Sequence, residues 1–147
     1  MGAVHLGFMR SENFSSPGGI VQDVDHRYAL PFDLRLNQWA LNGMWKVEHE
    51  KASLGIAGGS IDFRFHARDL HLVLGPGSDG KPVRFRVLID GKPPGEDHGV
   101  DTDNAGQGTV VEQRLYQLIR QRGPVKERTF EIQFLDPGVQ AFAFTFG

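Results

Sequence analysis

RTFEIQFLDPGVQAFAFTFG, residues 128–147, decides the fold. Phe130, Ile132 and Phe134 alternate with Glu131 and Gln133, Asp136-Pro137-Gly138 supplies a turn, and Phe142, Phe144 and Phe146 alternate with Ala141, Ala143 and Thr145. Successive side chains of a strand point to opposite faces, so the stretch predicts two half-buried strands and their connection. A sheet whose aromatic residues fill its core leaves function to its surface side chains.

The same alternation recurs upstream. SIDFRFHA (60–67) sets Ile61, Phe63 and Phe65 inward and Asp62, Arg64 and His66 outward, and DLHLVLG (69–75) repeats the pattern with Leu70, Leu72 and Leu74. After the turn-forming GPGSDGKP (75–82), VRFRVLIDG (83–91) sets Val83, Phe85, Val87 and Ile89 against Arg84, Arg86 and Leu88. In LRLNQWALNGMWKV (34–47), Asn42-Gly43 between apolar runs predicts a hairpin, because both residues tolerate positive φ. KASLGI (51–56) is a short connecting segment, and residues 91–110 read as a long polar loop. VVEQRLYQLIRQ (110–121) fits either a helix face or a strand; its Gly-rich flanks and the strands on both sides favour a strand. DGKP occurs at Asp79 and at Asp90, each at a strand end, which is shared turn chemistry rather than an internal repeat. Residues 1–33, with SENFSSPGG at 11–19, are less regular.

About eight antiparallel strands with turns every 8 to 12 residues predict an all-β fold, a sandwich or jelly roll. An open sheet would leave a row of Phe and Leu wet, and burying each stabilises by roughly 1.5–3 kcal/mol, so a second layer is required. The 147 residues suit a single domain, and 39% hydrophobic with 23% charged residues are globular values. Sixteen Lys and Arg against 18 Asp and Glu offer no basic footprint, so neither nucleic acid nor an anionic membrane is an expected partner. No apolar run is long enough to span a bilayer, and the N-terminus lacks a signal-peptide pattern. The absence of cysteine excludes disulfides and thiolate chemistry within this chain.

An enzyme reading lacks its parts. There is no GxSxG elbow, no phosphate loop ending in Lys-Ser/Thr and no HExxH. Asp62 with His66, or Glu48 with Glu50, are the available acid and base groups, but neighbours on one strand cannot straddle a glycosidic bond.

The blocks LRLNQWALNGMWKV, IDFRFHARDLHLVLGP, RFRVLIDGKPPGEDHGVD, RLYQLIRQ and FEIQFLDPGVQAFAFTFG, spread from about Phe8 to Gly147, resemble the C-terminal domain of DipZ-type proteins. In that family a membrane region related to cytochrome c biogenesis proteins precedes an extracytoplasmic thioredoxin-like domain. The resemblance implies a jelly-roll β-sandwich similar to carbohydrate-binding modules of the galactose-binding-like kind, and an extracytoplasmic or periplasmic location. It also implies an accessory, non-catalytic role beside a thioredoxin-like domain in the same or a partner chain. The redox CxxC of that family belongs to the preceding domain and has no counterpart here.

Carbohydrate sites pair an aromatic platform with planar hydrogen-bonding groups. Trp39, Trp45, Tyr28 and Tyr116 are the available platforms; both Trp lie in apolar stretches that suit the core, and Tyr116, between Arg114 and Gln117, is the better surface candidate. Arg64 and His66 share an outward row with Asp62, and Arg84 and Arg86 form a second row. If the two strands are neighbours, these guanidinium forks can bind vicinal hydroxyls or an acidic saccharide; the alternative is a solvated face of cross-strand ion pairs such as Asp62 to an Arg. Asp101, Asp103, Gly106 and Glu112 match positions 1, 3, 6 and 12 of a calcium loop, but Ala105 stands at position 5. A structural calcium on Asp101 and Asp103 is thus weighed against a solvated turn; no other cofactor is expected. The six histidines lack the spacing of a zinc site. A structural alternative is a domain that packs on a thioredoxin-like domain and positions its client, through an apolar patch around Phe8, Phe14 and Tyr28.

Overall fold

The computed structural model describes residues 2–147 as an all-β fold. Eleven strands run in chain order: β1 (Gly2–His5), β2 (Asp25–Tyr28), β3 (Trp39–Val47), β4 (Ala52–Leu54), β5 (Ser60–His66), β6 (Asp69–Gly75), β7 (Val83–Ile89), β8 (Gln107–Val110), β9 (Arg114–Arg120), β10 (Glu127–Phe134) and β11 (Gln140–Phe146). Every pairing of strands is antiparallel, in the order β8-β7-β10-β5-β3-β4-β11-β6-β9, with β1 on β11 and β2 on β3.

The ladder folds over on itself at β3. Trp39–Asn42 pair with β5 in a first layer, and Gly43–Val47 pair with β2 and β4 in a second. Asn42-Gly43 is therefore not a hairpin turn but the corner where one strand changes layers. Gly43 has φ 103°, and a Cβ there would stand 2.9 Å from the Gly59 Cα, so positive φ serves a close backbone crossing instead of a reversal.

Between the layers the expected rows meet. Phe63 of the first layer stacks on Phe144 of the second at 4.7 Å, Phe130 meets Phe144 edge-on at 5.7 Å, and Trp45 meets Phe134 at 5.9 Å. Each such pair contributes about 0.5–1.5 kcal/mol beyond the area it buries. Residues 13–16 close the first layer along β3: Asn13 and Ser15 exchange backbone bonds with Trp39, and Ser16 Oγ donates to the Leu41 carbonyl.

Other expectations need correction. Leu34 and Leu36 lie in a loop rather than a strand, and the polar loop 91–110 contains the 3-10 turn Gly95–Asp97 and the edge strand β8. The N-terminal third adds β1 and β2. In β11 the register shifts between Ala141 and Ala143, so Ala141 and Phe144 face the core while Phe142 is turned out of the expected aromatic row. VVEQRLYQLIRQ does form a strand, β9.

Gly43→Ala should lower the free energy of unfolding by about 1–3 kcal/mol, from left-handed backbone strain and contact with Gly59. Urea denaturation checks this; wild-type stability in the variant would show that the corner does not require glycine.

Candidate functional site

The outward side chains of the first layer are set by cross-strand register. Ala40 of β3, Asp62 of β5, Glu131 of β10 and Leu88 of β7 form one row. Ser60, Gln133 and Arg86 form the row on one side, and Arg64 and Thr129 stand on the other. The loop before β3 rises over this face. Asn37 N–H donates to the Arg64 carbonyl at 2.7 Å and Arg64 N–H to the Gln38 carbonyl at 3.0 Å, so the loop is pinned as a continuation of the β3–β5 ladder. Between loop and sheet lies a groove of about 490 Å³, walled by residues 30–36 and floored by Asp62, Arg64, Glu127 and Thr129. Phe32 stands on its rim at 109% relative exposure, the most exposed large apolar side chain among the described residues.

The floor is electrostatically unusual. Asp62 keeps 8% of its surface, and its Oδ1 is a buried side-chain atom without a hydrogen-bond partner. The residue opposite is Glu131, not an arginine, so the expected Asp62–Arg pair does not form. Burial first, and then the charge and hydrogen bond of Glu131, push the Asp62 carboxyl up to about 8. At neutral pH Asp62 thus holds a proton, and Glu131 Oε2 accepts from Gln133 Nε2.

Arg64 also floors the groove, with two of its five donors engaged: Nε reaches Glu127 at 2.7 Å and Nη1 reaches Thr129 Oγ1 at 2.8 Å. His66 is exposed at the end of β5, opposite Glu127. Arg84 and Arg86 do not adjoin Arg64 and His66, because β10 lies between β5 and β7 and separates the rows by two strand spacings, about 9.6 Å. Arg84 binds Asp136 through both Nε and Nη2, which holds that carboxyl down to about 2. Arg86 is half-buried beside Gln133 and Gln107 and has no ion pair among the described residues.

The aromatic candidates are structural. Trp39 and Trp45 are fully buried, and their indole N–H groups donate to the Glu12 and Asn42 carbonyls. Tyr116, expected at the surface, is buried as well: in β9 it is Leu115 and Gln117 that face outward, while Tyr116 and Leu118 face the core. Its hydroxyl donates to the Glu112 carbonyl at 2.7 Å, and the Arg114 guanidinium covers its ring at 3.8 Å. Arg114 is held in turn by both oxygens of Asp101, and the Gln117 N–H donates to the same carboxylate. Burial opposes ionisation of Asp101, but Arg114 and Gln117 outweigh it and hold the carboxyl below its usual range. Asp103 Oδ1 accepts from the Ala105 and Gln107 N–H groups and so closes a turn. No cluster of three or more metal-ligating side chains occurs among the described residues. Phe32, Glu127 and Thr129 line the groove and Glu131 stands opposite Asp62; sequence reading missed all four as site residues, and only Glu131, outward in its strand, carried a usable signal.

An acid raised in the folded state binds more protons folded than unfolded between its two pKa values, so its contribution to stability is lost as pH rises from about 4 through about 8. Asp62→Asn removes that penalty. The variant should match the wild type near pH 4 and be more stable by roughly 2–4 kcal/mol near pH 8. Denaturation at the two pH values checks this, and an equal effect at both would refute the assignment.

Three kinds of relatedness bear on this architecture. A family model described as thioredoxin-like C-terminal domain matches residues 3–147. Among curated proteins no significant match is found. Among solved structures the fold is similar to an active-site mutant of a family two carbohydrate esterase from Clostridium thermocellum, at TM-score 0.51 and 14% identity, over 67% of this chain and 27% of that one. A family two carbohydrate esterase from the same organism in complex with cellohexaose gives TM-score 0.48 and 15% identity over 67% and 27%, and one from Cellvibrio japonicus 0.48 and 16% over 65% and 26%. This chain thus corresponds to about a quarter of the esterase chains, and the first likeness concerns the fold. With the family match spanning nearly its whole length, the chain belongs to the thioredoxin-like C-terminal domain family.

Proposed function

We propose that this chain is a non-catalytic accessory module of an extracytoplasmic thioredoxin-like redox protein of the DipZ type, and that it binds saccharide in the groove over the first layer. The observation that carries the reading is the pairing of a fully exposed Phe32 with a floor of polar side chains, Asp62, Arg64 and Thr129. An aromatic ring left in water is a platform for the C–H face of a pyranose, and the polar floor supplies hydrogen bonds to its hydroxyls. The groove volume falls within the range of small-ligand sites. The lack of cysteine leaves thiol redox chemistry to another domain. In calorimetric titration against a saccharide panel, Phe32→Ala should weaken binding about tenfold, a loss of ~1.4 kcal/mol, with the unfolding midpoint unchanged. Undiminished affinity in the variant would remove the groove from consideration.

A second reading, docking on a thioredoxin-like domain, is favoured by the outer face of the second layer. The expected patch around Phe8, Phe14 and Tyr28 is not the surface involved: Tyr28 is buried, Phe14 packs on Trp39 and Tyr28, and Phe8 packs on His49. Instead, Ala143 of β11, Val73 of β6 and Leu115 of β9 lie in one cross-strand row, continuous with a groove of about 520 Å³ that Met9 and Phe142 help to line. Leu115→Glu should abolish association with a thioredoxin-like domain in a size-exclusion or NMR titration while leaving saccharide binding intact. Association that survives the substitution would remove this face.

A further inference from the structure

We propose that Asp62 at the floor of the groove, together with Glu131, which faces it across β5 and β10, binds a primary ammonium group, so that the saccharide taken there is an amino sugar. The inference rests on the saccharide reading of this groove and narrows it to one ligand chemistry.

Around the groove, Glu127 has Arg64 at 2.7 Å and Asp33 has Arg35 at 3.6 Å. Elsewhere Asp136 has Arg84, Asp101 has Arg114, Asp69 has Arg120 and Asp90 has Arg128. Asp62 and Glu131 have no basic partner among the described residues. Their flanking neighbours in the row are Ala40 on β3 and Leu88 on β7, which cannot supply charge. The charged groups on the surrounding elements are Arg64 on β5, Glu127 on β10, Asp33 and Arg35 on the loop, and Arg86 on β7. Of these, Arg64 and Arg35 are engaged by their own acids.

Like charges directly opposite in a sheet are destabilising, and a buried polar atom without a partner costs further. Asp62 combines both: it is more than nine-tenths buried, lines the groove, and leaves Oδ1 unpartnered. A compact cation with three N–H donors satisfies both carboxylates through charge-assisted hydrogen bonds. A neutral hydroxyl can supply a donor but not the charge, and a carboxylate ligand would add negative charge beside Glu131, where Arg64, the guanidinium on the groove floor, is already held by Glu127. The exposed Phe32 ring at the rim offers a hydrophobic face for the sugar body and a π-face compatible with a cation. The proton that Asp62 holds at neutral pH leaves as the ammonium arrives, so binding releases H+ to the buffer.

The test uses the whole chain and three probes: a fully deacetylated glucosamine tetramer, its N-acetylated counterpart and a galacturonic acid tetramer, titrated calorimetrically near pH 7 in buffers of different ionisation enthalpy. The expected result is at least tenfold tighter binding of the deacetylated tetramer, with buffer-dependent heats that report proton release. Glu131→Gln, nearly isosteric and relieved of repulsion, should bring the ratio of deacetylated to N-acetylated affinity to within twofold of one, as should Asp62→Asn. Asp79→Asn, an exposed turn acid outside the groove, should keep the preference. Equal binding of amine and N-acetyl probes overturns the inference while leaving the saccharide reading standing, and so does a preference for galacturonate. A preference retained in both carboxylate variants also overturns it. Binding of none of the three probes overturns the inference and counts against saccharide recognition itself.

Discussion

The chain buries two sheet faces against each other only because β3 leaves one layer and enters the other at Asn42-Gly43. That crossing needs two backbones in near contact, Gly43 against Gly59, and a residue at positive φ, so two glycines set the geometry from which the layers hang. Its consequences run in both directions along the strand. Toward the C-terminus β3 carries Trp45 and Val47 into the second layer. Toward the N-terminus the ladder with β5 continues past Trp39 to Gln38 and Asn37, and this fixes the wall of the groove. The candidate site is therefore an extension of the same strand that closes the core, which couples the position of the loop to the rigidity of the sandwich.

The outer faces then divide by composition. On the first layer most arginines are consumed by neighbouring carboxylates, in pairs that are partly exposed and contribute only ~0–1 kcal/mol each. Their value is positional, since each guanidinium fork fixes one acid and one stretch of loop or strand end. Once paired, a fork has little capacity left for an external anion. The Asp62–Glu131 pair is the opposite case, two acids without a cation and with one partly desolvated. Such an arrangement is costly in the isolated fold and is the kind of local conflict that sites of recognition retain.

Much of the sandwich was legible because alternation is a local signal. The core faces of β5, β6, β7 and β10 match the inward rows read from Phe63, Leu72, Phe85 and Phe130. What failed was what depends on partners distant in sequence. Asn42-Gly43 has the chemistry of a turn, and nothing nearby says that Gly59 will be packed against it. The bulge at Phe142 arises from the pairing of β11 with β6, which no window of β11 contains. Tyr116 was misplaced because Gln117, one residue away, points to the opposite face, while Arg114, which shares its face two residues away, covers the ring instead of leaving it to solvent. The site was less legible still. Phe32 lies in a segment without period, and the meeting of Asp62 with Glu131 requires the register of two strands almost 70 positions apart.

The groove combines parts of different stiffness, and this bears on how it would engage a ligand. Its floor lies on β5 and β10, which are paired on both edges and packed on the aromatic core, so the polar groups there are held before any ligand arrives. Its wall is pinned at Asn37 and Gln38, but Phe32 lies five residues further out with its ring in water. Immobilising one such side chain costs about 0.5–1.5 kcal/mol, comparable to what an aromatic contact returns. Phe32 alone would therefore bind weakly and with little preference among sugars. Discrimination has to come from the rigid floor, where an unpartnered acid is satisfied only by a ligand that brings donors and positive charge to the right place.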